Sequence, residues 1–198
     1  PSLSSAASDV YKRQRQYSMN VGRIIKIAKN VFWEAIRDRI LYVIGLFALL
    51  MVAGVRLIPE LSVGTEDKIF LDFGLAAISI LGLIVTVFVG TGLVNKEIEK
   101  RTVYILVAKP LSRSELIVGK YIGLSSVLAI LLIAMTIIYG LILSFSGISY
   151  PIGSILVTII FMFIQLSLLT AVAILFGVFT SSLLATLFTF GIYLMGNL

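Results

Sequence analysis

The 198 residues are 59% hydrophobic and 13% charged with a net charge of +6, well below the ~25% charged residues usual in soluble domains. The chain therefore reads as one integral membrane domain, and its bases do not point to nucleic acid because they cluster beside apolar runs. There is no Cys and no His, which excludes disulfides, thiolate metal sites and the usual Ser–His and Cys–His catalytic pairs.

At the start, Ser4 to Gln14 reads SSAASDVYKRQ, a frame of the transposon adapter used in sequencing libraries. Residues 1–14 are expected to be an adapter-derived addition, with the native chain starting at Met19 and a single membrane domain over 19–198. The spacing predicts an amphipathic helix over 20–39. Ile24, Ala28, Val31, Ala35 and Ile36 share one face, while Arg23, Lys26, Lys29, Glu34 and Arg37 hold the other. Trp33 suits a headgroup boundary. This helix is expected to lie in the membrane interface and feed the first span.

Spans are predicted at about 40–58, 69–94, 116–145, 152–178 and 183–198, the last of them short; each full run supplies the ~20 apolar residues a bilayer requires. Arg56 lies near the far end of the first span, where a long side chain can snorkel, and Asp72 lies near the mouth of the second. The expected fold is all-α: an interfacial amphipathic helix followed by a polytopic bundle. From Tyr121 to Leu198 there is no Asp, Glu, Lys or Arg, whereas Asn95 to Lys120 holds six Lys/Arg and three Glu. With five bases ahead of the first span (Arg23, Lys26, Lys29, Arg37 and Arg39), the skew predicts that the N-terminus and the 95–120 connection are cytoplasmic.

That connection is predicted to form two short helices around a break. Glu97, Lys100 and Arg101 can share a polar face. Val103, Ile105, Leu106 and Val107 are too apolar for a free loop. Lys109-Pro110 breaks the helix, and Ser112 with Glu115 forms a capping box for the next one. Composition alone leaves open whether this is a docking surface or a plain positive-inside loop. Within the spans, Ser79, Thr86 and Thr91 could line a path or bond their own backbone. Gln165 is expected to make an interhelical hydrogen bond in preference to touching substrate. Gly119 and Gly123 form a G-x-x-x-G, whose default meaning is close helix packing.

The order Glu97, Glu99, Arg101-Thr102, Tyr104 to Val107, Lys109-Pro110, Ser112-Arg113, Glu115 and Gly119-Lys120 resembles the signature of permease subunits of type-2 ABC transporters. It is nearest the branch of copper-enzyme-maturation and multidrug-type export permeases. The Met19 to Arg39 stretch and Phe179-Thr180-Ser181-Ser182 resemble the same family. The resemblance implies a dimeric exporter subunit, homo- or heterodimeric, in a prokaryotic cytoplasmic membrane, with a sixth span beyond Leu198. A separate ATPase would bind ATP and Mg and press on residues 95–115. Glu97, Glu99, Lys100, Arg101, Thr102, Leu106, Lys109, Pro110, Ser112 and Arg113 would then be the coupling residues, and Ser79, Thr86, Thr91 and Gln165 candidates to line the pathway. No cofactor and no catalysis are implied for this chain. It has no G-x-x-x-x-G-K-[ST] loop, since Gly119-Lys120 runs into Tyr121. The rival readings are a secondary transporter or channel, which would want a midplane ionisable group, and a membrane anchor for a soluble complex.

Overall fold

A computed structural model describes residues 21–61, 66–99, 113–148 and 151–197, and every element among them is helical. The first is α1, Val21–Ala35. Its buried residues are Ile24, Ala28, Val31 and Ala35, the stripe that the helical period marks out. Ile25 and Trp33, which lie off that stripe, remain exposed.

A π-helical turn, Ile36–Ile40, joins α1 to α2, Leu41–Leu61. Its effect is visible in the burial pattern. Buried positions step by three or four from Ile24 to Ala35, by five to Ile40, and then run on through Phe47, Met51 and Gly54. The wide turn adds one residue, about 100° of helix rotation. Both helices therefore present an apolar seam to the same bundle.

Three long helices follow: α3, Glu66–Glu99; α4, Arg113–Ser146; and α5, Ile152–Phe179. A shorter α6 spans Ser182–Asn197. Four stretches are long and apolar enough to cross a membrane: Leu41–Ile58, Asp67–Gly92, Ser114–Ser146 and Ile152–Phe179. The apolar part of α6, Ser182–Gly196, is shorter than the ~20 residues of a full crossing. The chain is thus an all-α, multi-pass membrane protein.

Helices α3 and α4 form the centre. α3 packs on α2, α4, α5 and α6, and α4 packs on α1, α2, α3 and α5. The core that they share with the surrounding helices buries Ile78, Leu128, Leu131, Leu132, Met135 and Tyr139 almost completely. Gly74 lies under the Tyr139 ring, where a Cβ would overlap it, and the Tyr139 hydroxyl donates to the Leu71 carbonyl at 3.0 Å.

The short turns have local causes. Gly147 adopts φ +70°, a left-handed conformation that favours glycine, and Ile148 N–H returns to the Leu143 carbonyl at 3.3 Å. That pairing closes α4 as a Schellman motif. At the end of α5, Thr180 leaves the helix in extended conformation. Both its N–H and its hydroxyl bond the Phe176 carbonyl, at 2.8 and 2.7 Å. Phe176 then meets Phe188 across the hairpin, with ring centroids 5.3 Å apart.

Candidate functional site

The end of the bundle that carries α1 is tightly built. α1 lies across the first turns of α4, and the two glycines of the G-x-x-x-G make the seat. A Cβ at Gly119 would come within 2.8 Å of Ile27 Cβ, and one at Gly123 within 2.8 Å of the Ala28 carbonyl oxygen. The two helices therefore touch at backbone distance, as small-residue motifs allow. Glu115 and Lys120, on the same turns of α4, are 2% and 5% exposed, and neither lacks a partner. A charge buried so completely is tolerated only when paired or hydrogen-bonded.

Next to this seat, α3 continues as a helix to Glu99, five residues past Val94, the last residue of its apolar run (99 − 94). At 1.5 Å per residue the projection is about 7–8 Å. Of the predicted coupling residues, Glu97 and Glu99 fall on this projecting part and Arg113 opens α4. Lys100, Arg101, Thr102, Leu106, Lys109, Pro110 and Ser112 lie outside the described residues, and so do the predicted Pro110 break and Ser112 cap. The helix starting at Arg113 carries Glu115 in its first turn, as a capping box requires on that side.

The hydroxyls of α3 face inward. Thr86 and Thr91 are buried and donate to the carbonyls of Gly82 and Val87 at 2.8 and 2.7 Å. Thr91 also meets Thr186 of α6 at 3.2 Å, and half-buried Ser79 makes a long 3.4 Å contact with Tyr193. The gap beside Thr86 and Thr170 has a volume of only about 10 Å³, near the minimum for one water. Gln165 differs: it is exposed at the middle of α5 and, among the described residues, makes no hydrogen bond.

Sequence reasoning missed three features. Gly74, Gly82 and Gly90 repeat at intervals of eight along α3; a Cβ at Gly82 would come within 2.7 Å of Leu166 and one at Gly90 within 3.0 Å of Ala173. That regular spacing was the available signal. Tyr121, Ser125 and Ser167 form a hydroxyl cluster between α4 and α5, at 2.8 and 3.3 Å, with no comparable signature. The third feature is at the far end of the bundle. Beyond Tyr139 the helices part around a cavity of about 490 Å³, walled by Val55, Phe70, Ile142 and Phe145 with Arg56 and Asp67 beside it. No cluster of acids among the described residues is placed to hold a metal ion.

No curated protein matches the chain closely enough to count as a relative. A family model described as "ABC-2 family transporter protein" matches residues 25–198, from the second turn of α1 through α6.

Proposed function

Because the chain belongs to the ABC-2 transporter family, we propose that it is the pathway-forming subunit of an exporter, driven by a separate ATPase that docks on residues 95–115. The family is one of membrane permeases that work with an ABC ATPase and usually with a second permease. The finer assignments are the direction of transport, the docking segment, a cytoplasmic N-terminus and a prokaryotic cytoplasmic membrane.

One observation carries the docking assignment. α3 leaves its apolar stretch as an unbroken helix and holds Glu97 and Glu99 about one turn beyond it. The same end is braced by α1 on Gly119 and Gly123. A push there would load the two central helices directly. A charged rim gives orientation and specificity in docking, and the neighbouring apolar residues Val103 to Val107 supply contact area. The closed interior around Thr86 supports a pathway between subunits instead of one through a single subunit. Gln165, outward-facing at midspan, is the pathway candidate that such an arrangement leaves accessible.

The test is to reverse Glu97 and Glu99 to Lys and, separately, to make Leu106→Asp, then measure copurification with the cognate ATPase and ATP hydrolysis by the complex. The charge reversal is expected to weaken association by about thirtyfold, the scale of ~2 kcal/mol for a disrupted interfacial charge. Leu106→Asp is expected to act through lost apolar contact. Normal association and normal coupled hydrolysis in both variants would reduce the segment to a topogenic loop. Reporters fused after Thr65 and after Ser112 check the orientation. The first should be external and the second cytoplasmic.

A further inference from the structure

We propose that the cavity between α2, α3 and α4 is a binding site for a glycerophospholipid with a zwitterionic headgroup, its acyl chain inside and its phosphate and ammonium on Arg56 and Asp67. This rests only on the chain spanning a membrane, and holds whichever way round it is inserted.

The cavity's size and walls argue for the chain. About 490 Å³ lies within the ~300–1,000 Å³ of ligand pockets. Its inner wall includes Phe70, 2% exposed, and its outer wall Phe145, 88% exposed. The space therefore runs from the core to the membrane-facing surface. Protein interiors tolerate few voids larger than a water, because the lining atoms forfeit dispersion contacts. An apolar opening of this size, continuous with fluid hydrocarbon, is filled by hydrocarbon.

The charges argue for the headgroup. Arg56 stands two residues before the end of the first apolar stretch, and Asp67 begins the second. Both are thus at headgroup height. Both are exposed, both line the cavity, and neither forms an ion pair among the described residues. Lys68 and Asp72 are exposed on the same turns of α3 but do not line it. Among the described residues the mouth therefore offers one guanidinium and one carboxylate. A guanidinium binds phosphate through a two-pronged hydrogen bond, and a carboxylate attracts an ammonium. A headgroup carrying both charges satisfies both residues. A net anionic headgroup would set an uncompensated negative charge beside Asp67.

The experiment uses the full chain in phosphatidylglycerol vesicles containing a trace of phosphatidylethanolamine with a photoactivatable acyl chain. After illumination, labelled positions are mapped by mass spectrometry, with lipid-facing Leu168 of α5 as the bulk-lipid reference. Labelling at Ile142 to Phe145 should exceed the reference by about tenfold, the ratio expected for a site ~1.4 kcal/mol better than bulk lipid. Val55→Trp, which fills the cavity from α2, should bring it down to the reference, and Ile142→Trp gives the same test from α4 if the first variant fails to fold. Retention of phosphatidylethanolamine over phosphatidylglycerol on detergent exchange should vanish in the double variant Arg56→Gln, Asp67→Asn. Wild-type labelling no higher than the reference, or labelling indifferent to the tryptophan variant that folds, would overturn the site. Equal retention of the two lipids by the wild type would overturn the headgroup assignment.

Discussion

The two ends of this bundle are built on opposite plans. Where α1 crosses α4, glycines bring backbone against backbone and two charged side chains are buried. Past Tyr139, at the other end, three helices part around an apolar cavity. The same α4 serves both ends, and small residues at one and a bulky ring at the other set the difference. In a membrane, helices gain little from hiding apolar surface, so packing contacts decide which surfaces close. A close fit is expected where force is transmitted, and a looser one where lipid can take the place of protein.

The sharpest way to break that comparison is to shorten one side chain at each kind of surface. Leu131 is wholly buried, and Leu131→Ala should cost about 2–5 kcal/mol, the range for cavity-forming core substitutions. Ile142 already borders open space, so Ile142→Ala should cost clearly less. Thermal unfolding of both variants in one detergent gives the ranking, and equal losses would mean the far end is packed like the core. Next in size is Gly123→Ala, whose new methyl meets the Ala28 carbonyl. Overpacking of about 1–3 kcal/mol is expected, read in the same assay as earlier unfolding and as freer proteolysis of α1. Tyr139→Phe keeps the ring on Gly74 but removes the bond to Leu71. It should cost about 0.5–1.5 kcal/mol, and an unchanged unfolding midpoint would show that the packing of the ring on Gly74 alone holds this contact. The smallest effect is a control. Gly45 has nothing within 4 Å of its would-be Cβ, so Gly45→Ala should be neutral or stabilise by up to about 1 kcal/mol through helix propensity. Destabilisation there would show that a methyl is not tolerated even where the space is open.

The apolar stretches could be read from the sequence because bilayer thickness imposes a length, and α1 because a half-buried helix imposes a period. The partner of that period could not. Ile24, Ala28 and Val31 would suit a lipid surface equally well, and only the fold shows them on α4 while Ile25 and Trp33 stay outside. The G-x-x-x-G was legible as a packing motif, but its mate was not, since Gly119 and Ile27 lie far apart in sequence. In the sequence, Ser79, Thr86 and Thr91 fit lining a path as well as bonding their own helix. The bonds of Thr86 and Thr91 to Gly82 and Val87 show how a threonine on a helix satisfies itself locally. The cavity had no signal at all. It arises from the divergence of three helix ends whose residues, Val55, Phe70 and Ile142, are each ordinary apolar residues in the chain.

The π-helical turn at Ile36–Ile40 turns the connection between α1 and α2 into a matter of phase. Its one surplus residue advances the helix by about a quarter-turn, so Ile40, Phe47 and Met51 come round to the side already taken by Ala28 and Ala35. What this joint must conserve is a number of residues more than their kinds. A conservative exchange within Ile36–Ile40 leaves the phase intact. The loss of a single residue would swing Phe47 and Met51 out of the bundle, or lift α1 from its glycine seat, with every side chain otherwise unaltered.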